Sequence, residues 1–409
     1  MTPERATLRI DAIAAGGRGV GRLEGMAVFV PRAAPDETVE IMLKRHRRFG
    51  EGRIQRVIDP SPWRVVPRCR HYTVDRCGGC QLQHLDYEAQ LLAKQRIVGD
   101  ALGRIARRQV AVEAVAPSPG AWQYRNKLTL TLRPRGSGWI AGLRPYDAPD
   151  EIFALEECPI TADGVVDGWR EVMAHAHLLP AAPELRGAVR ELAGSRSFVL
   201  HGGVRWHDAR AFTAACTGFA SIQWIDAQGQ SHVLRDQPMA TPIAFEQVNS
   251  AVAAALHAEV IARVRQDDPR RVIDAYAGRG VTAEALAAEG REVVAIELDH
   301  SAVRLARQAL GGRATVIEGR VEEHLPGQLP AAAIVLNPPR TGVDARVCAS
   351  LESAVPRPRR IVYVSCDPGT LARDLSRLPS FRVARVRPFD MFPQTAHVET
   401  VCELVPEIP

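Results

Sequence analysis

Residues 272–280 read Val272-Ile-Asp-Ala-Tyr-Ala-Gly-Arg-Gly280, and the C-terminal part of the chain is best read outward from them. A short apolar strand, Val272 to Ala275, runs into a turn holding Gly278 and Gly280, and a helical stretch, Glu284 to Ala288, follows. Glycines there let the backbone bend closely around a ligand at the start of a helix. Strands and helices then alternate: Val293 to Glu297, Ala302 to Leu310, Thr315 to Ile317, Ala332 to Leu336, Ile361 to Val364 and Leu371 to Leu378. Two last strands lie near Arg382 to Val386 and Val398 to Leu404. This alternation predicts a doubly wound, mainly parallel sheet, with ligands held beyond the carboxyl ends of its strands.

The residues at those ends carry chemistry. Glycine turns alone are common to tight strand-to-helix connections, but the next strand ends at Glu297, which suits a carboxylate accepting from two ribose hydroxyls. Together they predict a nucleoside cofactor. The Gly-x-Gly-x-x-Gly pyrophosphate cradle is absent, which favours S-adenosylmethionine over a dinucleotide. The fourth strand ends in Asn337-Pro-Pro-Arg340, a stiff polar wall in which each proline fixes φ and removes a donor. The fifth delivers Ser365-Cys366-Asp367-Pro368. A cysteine between a strand end and a helix N-terminus sits where thiol pKa values fall, so Cys366 is the candidate nucleophile, against the alternative of a buried structural cysteine. Glu399, in His397-Val-Glu-Thr-Val401, is the candidate base.

Upstream the pattern changes. From Leu8 to Ile58 short apolar runs alternate with glycine turns, which predicts a small β-barrel over residues 1–59. Lys44-Arg-His-Arg-Arg48 gives that unit a concentrated positive charge. Residues 60–240 form the next unit. It opens with a proline-punctuated linker and a helix over Tyr87 to Ile105, expected to pack on the catalytic domain, and continues as a mostly antiparallel β domain to a boundary near Pro238 to Pro242. Residues 241–409 are the α/β domain. Trp122-Gln-Tyr-Arg-Asn-Lys127 interleaves aromatic and basic side chains, as a surface for unpaired bases and phosphates would, although tryptophan and tyrosine in a strand also serve as core.

Four of the eight cysteines, Cys69, Cys77, Cys80 and Cys158, fall in the middle unit. Eight in 409 residues is too sparse for a disulfide scaffold, and four thiolates suit either structural zinc or an iron-sulfur cluster. The net charge of +5 permits a nucleic-acid partner without requiring one. No run of eighteen apolar residues occurs and the first residues lack a signal-peptide pattern, so a cytoplasmic protein with no membrane partner is expected.

Phe245-Glu-Gln-Val-Asn249, Asp274 to Gly280, Asn337-Pro-Pro-Arg-Thr-Gly342, Val364-Ser-Cys-Asp-Pro368 with Leu371-Ala-Arg-Asp374, and His397-Val-Glu-Thr-Val401 stand in the order found in a known family. The chain resembles, over nearly its whole length, the RNA uracil-5-methyltransferases, especially the iron-sulfur members acting on large-subunit ribosomal RNA. The resemblance implies a multidomain α/β protein: an OB-like barrel of the TRAM type, a central β domain with a [4Fe-4S] cluster on Cys69, Cys77, Cys80 and Cys158, and a Rossmann-like methyltransferase domain. It implies a monomer with ribosomal RNA ahead of transfer RNA as partner. It also implies that Cys366 attacks uracil C6, that Glu399 removes the C5 proton, and that Gln247, Tyr276 and Glu297 touch the cofactor; Gly278, Gly280 and Asn337 complete the expected cofactor site. Three positions depart from the family: Asn337 stands where aspartate is usual, Val281 where asparagine is common, and Arg320 where a small polar residue is.

Two rivals follow from the same residues. Asn-Pro-Pro is also used to hydrogen-bond an exocyclic amine in amino-group methyltransferases, but those place an aromatic residue where Arg340 stands and need no cysteine. The three departures would also suit an RNA-binding or assembly protein without catalysis.

Overall fold

The computed structural model describes residues 4–236 and 247–407. The expected boundary near Pro238 to Pro242 and the first two residues of the 245–249 motif lie outside them. Three sheets organise the chain.

The first sheet is built from Glu4–Arg9, Ala12–Ile13, Arg18–Leu23, Met26–Pro31, Thr38–Arg45 and Gly50–Asp59. Its two edge strands, Glu4–Arg9 and Ala12–Ile13, are separated in the chain only by Ile10 and Asp11. Alternating residues of its strands, among them Leu8, Val28, Val30, Val39, Ile41 and Leu43, bury one shared core. Lys44, Arg47 and Arg48 are exposed, whereas Arg45 pairs with Glu4 and Glu24.

The middle sheet has seven strands between Lys127 and Asp236. It is antiparallel except for one pair, Ser195–His201 beside Ser221–Ile225, which runs parallel. The helix Ala209–Ala215 lies between those two strands and returns the chain to the same end, which a hairpin cannot do. One face of this sheet is apolar and packs under the helix Asp163–Ala174 through Leu128, Leu130, Val189, Phe198, Trp169 and Phe219.

The third sheet orders its strands Thr315–Glu318, Glu292–Glu297, Arg271–Ala275, Ala333–Leu336, Arg360–Ser365, Glu399–Pro406 and Phe381–Phe389. The first five are parallel and the last two antiparallel. Along each parallel strand alternate residues enter opposite cores: Ile273, Ile334 and Ile361 one, Val272, Val335 and Val362 the other. Helices cover both faces. The long helix Tyr87–Arg104, although far away in sequence, places Val98 and Leu102 in the first of these cores. Just beyond it Arg108 donates to the carbonyls of Leu375, Leu378 and Phe381. Strand order reverses between Arg271–Ala275 and Ala333–Leu336, which opens a crevice above their carboxyl ends. Among the described residues no helix is long and apolar enough to cross a membrane.

Candidate active site

The crevice continues into a cleft of about 1820 Å³. It is larger than one small-molecule pocket, which commonly occupies roughly 300–1,000 Å³. Gln247, Tyr276, Gly278, Glu297, Asn337, Cys366 and Glu399 all line it.

At the cofactor end the backbone is bent as its glycines allow. Gly278 and Gly280 have φ of 56° and 84°, and Tyr276 itself stands at 62°, a costly conformation for a residue with a Cβ. Gly280 precedes the helix Val281–Ala288, and a Cβ there would meet that of Ala306 at 3.2 Å. Glu297 closes the loop from the neighbouring strand: one carboxylate oxygen accepts from Gly278 N at 2.8 Å, the other from Leu298 N and Asp299 N at 2.7 and 2.8 Å. Asp274, fully buried beneath, accepts from Ala283 N at 3.1 Å, and burial pushes its carboxyl up to about 7. The departures are in the wall of the same cleft: Val281 begins its helix, and Arg320 lies within 3.5 Å of Glu322. Asn337 is exposed to the cleft. Asn249 caps the helix Ser250–Arg265 by accepting from Val252 N, which fixes the segment carrying Gln247.

Sheet register brings the reacting pair together. Ser365 pairs with Thr400 across antiparallel strands, so the next residues outward are Cys366 and Glu399. Burial pushes the Glu399 carboxyl up to about 7, with Arg340 acting against the rise. The expectation of a depressed Cys366 thiol is corrected. Burial, and then the Glu399 charge, hold it above its ordinary value, while Arg340 pulls it down. The dipole of the short helix Pro368–Leu375 is already engaged, because Asp367 caps it through Thr370 N at 2.8 Å.

Sequence reading missed the residue that holds the opposite wall. Asp374 is fully buried and accepts from Tyr363 Oη at 2.8 Å, Val343 N at 2.9 Å and Arg377 Nη1 at 3.1 Å. Arg373 bonds both Asp374 and the Thr341 carbonyl. The loop after Pro339 is thereby tied to the helix that follows Cys366. The Leu371-Ala-Arg-Asp374 run was visible, but not its contacts.

Across the cleft stands the polar face of the middle sheet. Register aligns Lys127, Arg190, Ser197 and Ser221 in one row, and Thr131, Arg186, His201 and Ile225 in another. Ser221, Gln223 and Ile225 line the cleft, so the basic side chains share the face turned toward it. Burial lowers the Lys127 pKa, and Arg190, Arg186 and Arg125 lower it further. The aromatic segment before Lys127 behaves otherwise. Trp122 and Tyr124 pack on the cysteine lobe, and Tyr124 donates to the Pro393 carbonyl at 2.9 Å, so these rings are used internally.

In that lobe Cys69, Cys77 and Cys80 are buried and Cys158 partly so. Each thiol is raised mainly by burial, Cys77 to about 11; the other three cysteines add to the rise at Cys80, Cys158 and Cys69 to that at Cys77, and Cys158 to that at Cys69. Gly79 N donates to Cys77 Sγ at 3.3 Å and Thr161 Oγ1 to Cys158 Sγ at 3.2 Å. Among the described residues no group of three or more His, Cys, Asp or Glu side chains stands as one metal ion would require.

A family profile described as tRNA (Uracil-5-)-methyltransferase matches residues 326–405. The chain is 32% identical to the 23S rRNA (uracil(1939)-C(5))-methyltransferase RlmD of Pseudomonas putida, over 97% of this chain and 93% of that one. An RNA methyltransferase of Gloeobacter violaceus is 33% identical over 98% and 96%. The Pyrococcus abyssi tRNA (uracil-54, C5)-methyltransferase, solved with S-adenosyl-L-homocysteine, shares the fold with a TM-score of 0.72 at 24% identity, over 98% of this chain and 99% of that one.

Proposed function

The chain belongs to the RNA uracil-5-methyltransferase family, and from that premise we propose that it methylates C5 of a uridine in 23S ribosomal RNA. The observation that carries this reading is the register that faces Cys366 with Glu399 at the mouth of the crevice. Bound S-adenosylmethionine would supply an electrophilic methyl group. Gln247, Tyr276, Gly278, Glu297 and Asn337 are the residues that would hold it, a role supported by their shared cleft.

Uracil C5 is a weak nucleophile. Addition of the Cys366 thiolate to C6 forms a carbon–sulfur bond and pushes the ring electrons toward O4, so that C5 can take the methyl group. Glu399 then removes the C5 proton. The released pair re-forms the ring double bond and expels the thiolate, leaving 5-methyluridine and a protonated carboxyl. A carboxyl pushed to about 7 is well matched to that work. Arg340, which favours the ionised form of both groups, supports the pair.

The target base must leave its stack to reach Cys366, so an unpaired or remodelled uridine is the substrate. Lys127 and Arg186 would hold phosphates, a role supported by the sheet face they share with the cleft-lining Ser221 and Ile225, and the exposed Lys44, Arg47 and Arg48 suit the same partner. The N-terminal sheet reads as a TRAM-type barrel, supported by edge strands that are chain neighbours. Cys69, Cys77, Cys80 and Cys158 would hold a [4Fe-4S] cluster, a reading supported by their gathering in one lobe and by N–H and O–H donors on the sulfurs of Cys77 and Cys158. The cluster would staple residues 69–80 to residue 158, and methyl transfer needs no redox step from it. The same reading takes the protein to be a cytoplasmic monomer.

The test is direct. Ribosomal RNA lacking the modification, incubated with cluster-loaded protein and S-adenosylmethionine, should gain one 5-methyluridine by mass mapping. Gain in transfer RNA alone would move the substrate, and gain in neither would remove the activity.

A further inference from the structure

The nine residues Asp390–Val398 join the last two strands and lead directly into Glu399. This loop is held mainly by parts of the chain some three hundred residues away. Asp390, fully buried, forms an ion pair with the fully buried Lys94 and accepts from Tyr87 Oη at 2.8 Å. Lys94 Nζ also donates to the Phe392 carbonyl at 3.0 Å. Gln90 grips Gln394 from both sides: its Nε2 donates to Gln394 Oε1 at 3.0 Å, and its Oε1 accepts from Gln394 N at 2.9 Å. The Gln394 carbonyl accepts from Gln81 N and Leu82 N at 3.1 and 3.0 Å, immediately after Cys80. Gln394 itself stands at a φ of 69°, a conformation that needs such over-determination from outside. Further support comes from Ala116, whose carbonyl takes Asp390 N, from Tyr124, from Gln81 Oε1 on Ala396 N, from short bonds within the loop, and from the packing of Met391, Ala396 and Val398 in the surrounding cores.

We propose that Gln90 and Lys94, on the helix Tyr87–Arg104, are positioning residues for the base: they lock the loop that sets where the Glu399 carboxylate points. Neither is among the residues that line the cleft, so their effect is exerted through the loop. The two glutamines satisfy each other's amide and backbone groups in a buried site, which leaves this register one arrangement in which nothing is stranded. The helix and the segment after Cys80 together make the socket, so the cysteine lobe also bears on the base.

This inference rests on the assignment of Cys366 and Glu399 above, and it separates two halves of that reaction. Thiolate addition and methyl transfer precede the base; proton removal and release depend on it. RNA carrying 5-fluorouridine at the target has no C5 proton to remove, so its covalent trapping reports only the first half. Gln90→Leu should lower turnover on uridine RNA by at least about tenfold, part of the roughly 10²–10⁴-fold that a positioned acid–base group contributes. It should trap 5-fluorouridine RNA within about twofold of the wild-type rate and, on uridine RNA, accumulate a methylated covalent adduct on denaturing gels. Removing Lys94 alone would strand a buried carboxylate and threaten the fold. Gln394→Ala is therefore the second variant: it removes only the side-chain acceptor and should show the same split, smaller. Turnover and trapping falling together, or turnover unchanged in both variants, would overturn the proposal. Absence of trapping by the wild-type protein would instead remove the nucleophile assignment beneath it.

Discussion

Cys366 and Cys80 are both thiols raised by burial, yet their neighbours differ in kind. Around Cys366 stand a base, Glu399, a cation, Arg340, and an open cleft. Around Cys80 stand Gln83 and three further thiols, and Cys80 does not line the cleft that holds Cys366. A thiol facing a proton acceptor and a substrate-sized space is arranged to react. Thiols whose neighbours are other thiols suit the proposed cluster instead. Raised pKa alone does not separate the two, and the company each sulfur keeps does.

The largest expected effect breaks the comparison in both directions. Cys366→Ala should abolish methyl transfer, by three orders of magnitude or more as for other lost nucleophiles, while leaving iron content and melting temperature near wild type. Cys80→Ala should do the reverse in first effect: loss of iron and a lowered melting temperature, with activity failing because the lobe no longer supports the loop before Glu399. Iron assay, thermal melting and single-turnover methylation on both variants check this. Methyl transfer by Cys366→Ala at the wild-type rate would erase the distinction.

A smaller effect sharpens it. Arg340 favours the ionised forms of both Glu399 and Cys366, so Arg340→Gln should raise both pKa values. Turnover at saturating RNA, kcat, should rise with pH through about 7, where Glu399 ionises, and then more shallowly as the thiol ionises. In Arg340→Gln the acid limb should move to higher pH by roughly one unit, the lower end of what a neighbouring opposite charge supplies. The stability sign is the opposite of the catalytic one. Glu399 binds its proton more tightly when folded than its ordinary 4.5, so its contribution is present below 4.5 and is lost as pH rises to about 7. A pH–rate limb that stays fixed in Arg340→Gln would show that this cation does not act on the pair.

How much of this was legible in the sequence depends on the range over which each residue acts. The parallel sheet could be read because alternating strands and helices leave a local pattern, and Glu297 and Cys366 could be placed because strand ends fall on one edge. Asp374 could not be recognised as a hub, since its partners Val343 and Tyr363 come from elements that share no local period with it. Nothing in the local pattern marks Lys94 as buried, because its partner Asp390 lies 296 residues away and meets it only in the tertiary fold. Trp122 and Tyr124 read as an RNA surface or as core, and their packing against the cysteine lobe supports the second. The Cys366 thiol was expected to be depressed by helix and strand position, but burial and Glu399 outweigh a short helix already capped by Asp367.

The smallest expected effect concerns the wall opposite Cys366, where no cysteine is involved and no bond is made or broken. Lys127 is crowded by Arg186, Arg190 and Arg125 on a face whose rows also hold Thr129, Thr131 and Ser197. The neighbouring cations lower the Lys127 pKa beyond what burial does, and among the described residues these rows hold His201 but no Phe, Tyr or Trp, a thin platform for stacking. Such a surface holds phosphates without reading bases. Lys127→Ala and Arg186→Ala should therefore weaken RNA binding a few-fold each, uniformly across sequences, and reduce the slope of log affinity against log salt by about one per residue. The covalent step, measured at saturating RNA, should not change, and Lys127→Ala should not lower the melting temperature, because it relieves repulsion. Binding titrations at three salt concentrations decide the matter: an unchanged slope in the double variant would mean that the RNA passes this face without touching it, and that only the catalytic wall of the cleft grips the substrate.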